Sequence, residues 1–273
     1  MSRNSGKSIL ITGGGSGIGA AIARMASASD MRVLIADINE HAAQQVANDI
    51  GSSATAINLD IRDSEQWNEV LDKAWELFGG LDILVNNAAI ARPGYVRSLQ
   101  VENHHETIDV NAMGPIRGMT ATLPRFREQG SGHFVTICSM TGFLPFPGLA
   151  SYAAAKHALR AFHHGLAMEE RHSGLDFSII HPTSTETPML ELEATSDEVP
   201  MAFLVESVTA DHVAEVVLEA VRLKSLEVFM PPSAADTVRS VGTNADQLMA
   251  MAEEAEKAGA ANLAARRARE SEA

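Results

Sequence analysis

Hydrophobic positions along this chain alternate between two patterns. Short β-branched runs are apolar at nearly every position: SILIT (8–12), RVLIAD (32–37), TAINLD (55–60), LDILVNN (81–87), HFVTICS (133–139), DFSIIHP (176–182) and EVFM (227–230). Between them lie longer stretches with helical spacing, over 17–28, 39–50, 64–78, 104–129, 152–171 and 210–223. Strands apolar on both faces and separated by helices predict βαβ units around a buried parallel sheet. Right-handed crossovers then put helices on both sides. No linker breaks the alternation, so 1–233 is expected to be one doubly wound α/β domain. The segment 188–208 interrupts the rhythm after a strand end, where open α/β sheets bind ligands. The last stretch, 234–273, is rich in Ala, Glu and Arg. It has helix propensity but little apolar periodicity, so it is expected to be a surface helix, a partly disordered tail or a helix on a neighbouring subunit.

Composition narrows the function. At 273 residues the chain can bury about three quarters of its unfolded surface without a disulfide or metal. Lys plus Arg number 21 against 35 Asp plus Glu, a formal charge of −14 that repels phosphate backbones and argues against a nucleic-acid partner. No apolar run approaches 18 residues, so no membrane span is expected, and the N-terminal apolar run is too short for a signal peptide. The single cysteine, Cys138, fits a reducing cytoplasm. Ten histidines include the pairs His104-His105 and His163-His164, but none has zinc-ligand spacing, so no metal is expected.

The first predicted strand runs into TGGGSGIG, Thr12 to Gly19, and then into a helix. Glycines there let the backbone approach a pyrophosphate, and the helix offers unpaired N–H groups and a positive dipole end. Gly13, Gly15, Ser16, Gly17, Ile18 and Gly19 are the candidate cradle. Asp37 ends the second strand, 20 residues after Gly17, where a carboxylate reaches an adenosine ribose. Ile38 follows it, and the turn holds no Lys or Arg. Both features favour NAD over NADP.

Tyr152 and Lys156 are four residues apart on a predicted helix and share a face. A nearby ammonium favours the phenolate, which could then act as a base. Ser139 closes the fifth predicted strand, at the same sheet edge as the glycine turn. Pro115 has no N–H to give the carbonyl of Asn111, so that acceptor stays free.

In TGGGSGIG, Asp60, NNAA (86–89), Asn111, Ser139, Tyr152 and Lys156, taken in order, the chain resembles the short-chain dehydrogenase/reductase family in its compact single-domain branch. The resemblance covers roughly 7–230. It implies a Rossmann-type sheet of order 3-2-1-4-5-6-7 and a catalytic group of Asn111, Ser139, Tyr152 and Lys156. It also implies that Asp60, with Ile61, contacts adenine. Asn87, Ala88 and Ala89 would line the adenosine side, and Lys156 and Tyr152 the nicotinamide ribose. Pro182, Thr183, Thr185 and Thr187 would surround the nicotinamide. Two positions depart from the family pattern: Ala89 and Thr183 stand where glycine is usual. Family members often form dimers or tetramers, so a homo-oligomer is expected.

Phe143, Leu144 and Phe146, with apolar residues of 188–208, suggest a hydrophobic alcohol or ketone as substrate. Arg92 could salvage a carboxylated one. A ketoacyl-thioester reductase and a non-catalytic NAD-binding sensor or scaffold remain as alternatives.

Overall fold

The computed structural model describes residues 6–272. The chain alternates strand and helix: β1 (Ser8–Thr12), α1 (Gly17–Ala28), β2 (Arg32–Asp37), α2 (Glu40–Ile50), β3 (Ala54–Asn58), α3 (Ser64–Phe78) and β4 (Ile83–Asn86). Next come α4 (Val101–Ile108), a π-helical turn (Asp109–Met113), α5 (Gly114–Gln129), β5 (Gly132–Ile137), α6 (Ala150–Glu169) and β6 (Leu175–His181). The remainder is β7 (Thr185–Glu186), α7 (Pro188–Glu193), β8 (Val208–Thr209), α8 (Ala210–Leu223), β9 (Glu227–Phe229), α9 (Ala235–Gly242) and α10 (Ala245–Glu272).

Seven strands form one parallel sheet in the order β3-β2-β1-β4-β5-β6-β9. This is the Rossmann-type order expected from the sequence. The seventh strand becomes β9 because two short strands, β7 and β8, pair with each other outside the sheet.

The period of two along each strand divides the core into two layers. Ile9 and Ile11 of β1 face one side, with Val33, Ile35, Ile22 of α1 and Val217 of α8. Leu10 faces the other, with Leu34, Leu84, Phe134, Trp67 of α3 and Phe126 of α5. Every residue of β1 is buried, which is why its sequence shows no polar face. Helix entries are fixed locally. Asn39 accepts from the Ala42 N–H to start α2, and Asp63 accepts from Glu65 and Gln66 to start α3.

One expectation changes. The predicted helix 104–129 starts earlier and contains the π turn, which ends two residues before Pro115. Proline withholds one N–H, and the Gly114 N–H reaches back five residues to the Asp109 carbonyl. The C-terminal segment forms α9 and α10, and α10 packs on its own chain. Gly259 of α10 lies so close to the Pro200 carbonyl that a Cβ would sit 2.1 Å from that oxygen. Asn262 donates to the Phe203 carbonyl at 2.9 Å, and Arg266 grips Glu186 through two bonds of 2.7 and 2.9 Å. Leu263 is buried in a cluster with Leu149, Leu190 and Phe203.

Because α10 is held by few apolar contacts, one of them should dominate. Leu263→Ala is expected to weaken its docking by about 2 kcal/mol or more, read as roughly 30-fold faster amide exchange across 255–267. Met249→Ala, at an exposed position, should leave exchange unchanged.

Candidate active site

The C-terminal ends of the sheet strands open into a cavity of about 1310 Å³. Its first wall is the glycine turn. Gly13 has a φ of +64°, and a Cβ there would lie 2.8 Å from the Ala88 Cα. A Cβ on Gly19 would sit 2.2 Å from the Gly13 carbonyl and 2.6 Å from Asn87 Nδ2. The turn is therefore pressed against the end of β4, and only glycine fits at these two positions. Asn87 Nδ2 donates to the Thr12 and Gly13 carbonyls at 2.9 and 3.1 Å. Thr12 Oγ1 accepts from the Asn87 and Ala88 N–H groups and donates to the Val85 carbonyl.

Asp37 accepts from the Gly15 N–H and the Asn39 N–H, both at 2.9 Å. Its side chain therefore joins the cradle to the start of α2 and still lines the cavity, beside the 61 % exposed Ile38. Asp60 also lines the cavity, but Arg62 holds its carboxylate through bonds of 2.6 to 3.1 Å. That guanidinium keeps Asp60 below the usual carboxylate range. Ser16, Gly17, Ile18, Ile61, Ala88 and Ala89 lie along the same wall. Gly15 and Gly19 are not on the cavity surface; they shape the turn behind it. Among the described residues only Asp30 and Lys224 are non-glycine with positive φ, so Ala89 and Thr183 are accommodated without left-handed backbone.

The second wall carries the acid–base candidates. Ser139, Tyr152 and Lys156 all line the cavity. The Ser139 hydroxyl accepts from the Thr141 N–H at 3.1 Å, which leaves its own proton to donate. Lys156 is 2 % exposed; its ammonium gives one proton to the Ile137 carbonyl at 2.9 Å and lies 5.4 Å from the Tyr152 ring centre. Asn111 is the one catalytic candidate that does not line the cavity. Its amide bonds Ile90 twice, accepting from the N–H and donating to the carbonyl, both at 2.8 Å. Pro182, Thr183, Thr185 and Thr187 close the third side. Thr187 caps α7 and reaches the α1 entry, where a Cβ on Gly17 would sit 3.0 Å from its methyl group.

Electrostatics at Tyr152 differ from the expectation of a lowered phenol. Burial raises it, the Glu193 carboxylate raises it further, and the Ser139 hydroxyl opposes both. Burial likewise lowers the Lys156 ammonium. In the chain alone the phenol stays protonated at neutral pH.

Sequence reasoning left out several residues that shape this site. His181 is fully buried behind Ser139. Its Nδ1 lies 3.0 Å from the Ser139 carbonyl and its Nε2 3.2 Å from Glu227 Oε1. Both partners only accept, so both ring nitrogens carry protons. Burial alone would lower this imidazolium; the Cys138 sulfur, Glu227 and the Ser139 carbonyl outweigh it and hold it up to about 9. Its place just before Pro182 was the only sequence signal. Glu193, within the 188–208 segment, also lines the cavity, as do Val238 and Met251, which nothing in their sequence context marks. Arg92, considered for a carboxylated substrate, is paired with Glu106 at 2.8 Å. Among the described residues no group of three His, Cys, Asp or Glu side chains is arranged to hold a metal, and no helix is long and apolar enough to cross a membrane.

The profile of the short chain dehydrogenase family matches residues 7–198. A 2,5-dichloro-2,5-cyclohexadiene-1,4-diol dehydrogenase of Sphingobium indicum is 35% identical over 211 residues, 74% of this chain and 84% of that protein. A 3-alpha-(or 20-beta)-hydroxysteroid dehydrogenase of Mycobacterium bovis is 32% identical over 68% of this chain and 72% of its own length. A crystal structure of a short chain dehydrogenase/reductase from Burkholderia phymatum in complex with NAD superposes with a TM-score of 0.81. It is 25% identical and covers 88% of this chain and 94% of its own. A 3-ketoacyl-(acyl-carrier-protein) reductase from Brucella melitensis complexed with NADH has a TM-score of 0.75 at 28% identity, covering 83% and 96%. The chain belongs to the short-chain dehydrogenase family.

The buried histidines set the pH range of stability. His133 and His163 are lowered by burial to about 4 and about 3, so the unfolded chain takes up protons below pH ~6.5 before the folded one does. Stability is therefore lost as pH falls from that value. His181 is raised, so its contribution is full below pH ~6.5 and is lost as pH rises through about 9. Thermal midpoints should peak near pH ~6.5, and His181→Asn should flatten the alkaline limb while sparing the acidic one.

Proposed function

We propose that this protein is an NAD-dependent dehydrogenase that interconverts an apolar secondary alcohol and its ketone. The observation that carries this reading is the meeting of Ser139, Tyr152 and Lys156 with the glycine turn and Asp37 around one cavity.

The chain has the features NAD requires. The tight glycine turn leaves backbone free for a pyrophosphate at the α1 N-terminus. The Asp37 carboxylate has about four acceptor sites and uses two, so it can take a ribose hydroxyl and would repel a 2′-phosphate. Lys156 has two N–H bonds beyond the one given to Ile137 for the nicotinamide ribose. Thr183, Thr185 and Thr187 would meet the nicotinamide. When bound, NAD supplies the hydride acceptor and, in its oxidised form, a positive charge.

Ser139 donates its free proton to the substrate oxygen and orients it. Once it has released its own proton to solvent, the Tyr152 phenolate would take the hydroxyl proton as the carbon gives up its hydrogen with the bonding electron pair, leaving a carbonyl. In the reverse direction Tyr152 returns the proton. Asn111 acts at one remove, tying the π turn to the Ile90 backbone so that α6 has a fixed neighbour. His181 holds the Ser139 carbonyl from behind.

Leu144, Phe146, Leu149, Leu190 and Met201 make the substrate end of the cavity apolar. The two relatives named for a cyclohexadiene diol and a hydroxysteroid support an apolar ring-bearing substrate. Arg92 and Arg62 are neutralised by Glu106 and Asp60, and the rim also carries Glu206. This favours a neutral small molecule over an anionic carrier- or CoA-linked ketoacyl group. The exposed Val101 of α4, Met113 of the π turn and Met168 of α6 support self-association as a dimer or tetramer. The single buried Cys138 suits a reducing cytoplasm.

Turnover of apolar secondary alcohols should require NAD, with NADP much poorer. Tyr152→Phe is expected to lower kcat/KM by ~100-fold or more while NAD affinity, followed by fluorescence titration, stays within about threefold. A preference for NADP, or a Tyr152→Phe enzyme with undiminished turnover, would contradict the proposal.

A further inference from the structure

Glu193 is the last residue of α7 and is 7 % exposed. Among the described residues no hydrogen bond or ion pair reaches its carboxyl group, and burial pushes that group up. Its oxygens are not sealed inside protein, and the residue lines the same cavity as Tyr152. Its helix neighbour Leu190 belongs to a cluster with Leu149, Val199, Phe203 and the partly buried Tyr152 ring. A carboxyl group in such surroundings destabilises the folded chain unless something bonds to it. Among the described residues none bonds it, and the residue faces the cavity, where a bound molecule could.

The ligand group can be narrowed by charge. A carboxylated substrate would face repulsion from Glu193. A cationic one would share the cavity with the buried Lys156 ammonium. A neutral oxygen meets neither obstacle. A hydroxyl can donate to the carboxylate, and a carbonyl can accept from the carboxylic acid. Burial holds this group up to about 7, so both forms exist near neutral pH.

We propose that Glu193 is a specificity-determining residue that hydrogen-bonds a second, neutral oxygen of the substrate, a hydroxyl or carbonyl placed on the apolar skeleton away from the reacting carbon. The inference rests on the dehydrogenase reading above. It makes the natural substrate a dioxygenated apolar compound rather than a simple alcohol.

The test uses matched alcohols on a cyclohexane and on a steroid skeleton: the monoalcohol, its analogue with a second hydroxyl, and its analogue with an amino group in that place. The wild-type enzyme with NAD should favour the dihydroxy member in kcat/KM by ~10-fold or more, because a buried polar group left unpaired penalises the analogue that lacks a partner. Glu193→Leu should abolish that preference, mainly through KM for the dihydroxy member. Glu193→Gln keeps a donor and an acceptor and should retain it. Equal use of monoalcohol and diol by the wild type, or a preference that survives Glu193→Leu, overturns the role of Glu193 and leaves the dehydrogenase reading intact. A Glu193-dependent preference for the amine overturns the neutral-oxygen assignment. No turnover of any member by a protein that still binds NAD overturns the dehydrogenase reading, and this inference with it.

Discussion

The carbonyls of Thr12, the last paired residue of β1, and of Gly13, just past it, both take their hydrogen bonds from the Asn87 side chain. Its amide bonds both the Thr12 and the Gly13 oxygens, while Thr12 Oγ1 takes the N–H groups of Asn87 and Ala88. Buried backbone polar groups must be paired. This set of bonds pairs them and fixes the distance between the ends of β1 and β4. The glycine turn has its shape only while that spacing holds, because Gly13 and Gly19 have no room for a Cβ. The dinucleotide cradle is thus a consequence of how two neighbouring strands end.

The same logic continues along the sheet edge. Beyond β4, Asn111 clamps Ile90 to the π turn, and that turn packs against α6. From α6, Lys156 reaches the last carbonyl of β5. His181, closing β6, bonds Ser139 on one side and Glu227 of β9 on the other. Glu227 is in turn gripped by Arg239 of α9 at 2.7 Å. Each strand end is tied to the next, so the cradle and the acid–base group share one rigid frame. Rigid placement matters because positioned groups supply much of a catalyst's advantage. The C-terminal segment belongs to this frame, since Val238 and Met251 complete the cavity wall.

Much of this was legible in the sequence because parallel sheets advertise themselves. Strands such as SILIT and RVLIAD are apolar throughout because both faces are covered, and the order of the sheet followed from the resemblance those motifs carried. Ser139, Tyr152, Lys156, Asp37 and the glycine turn were visible because their chemistry needs particular residue types at particular spacings. The π turn was not visible, because a one-residue change in hydrogen bonding leaves the apolar period almost intact. The docking of α10 was hidden for a different reason. It is held by Gly259, Asn262, Arg266 and one buried leucine, so it has no hydrophobic stripe to read. Asp60 was found, but its pairing with Arg62 depends on side-chain reach that spacing does not disclose. Glu193 lies among several acids around the 188–208 segment, and only the fold reveals it as buried.

The account turns on the ionisation of Tyr152: burial and Glu193 keep the phenol protonated in the chain alone, and catalysis needs it to release that proton. The chain has two tyrosines, so a Tyr95→Phe variant leaves Tyr152 as the only reporter. Ultraviolet difference titration of that variant, with and without NAD, measures the phenolate directly. The account predicts ionisation only at strongly alkaline pH without NAD and at a clearly lower pH with it. A titration that is the same with and without NAD, or that is already near neutral in the chain alone, would contradict it.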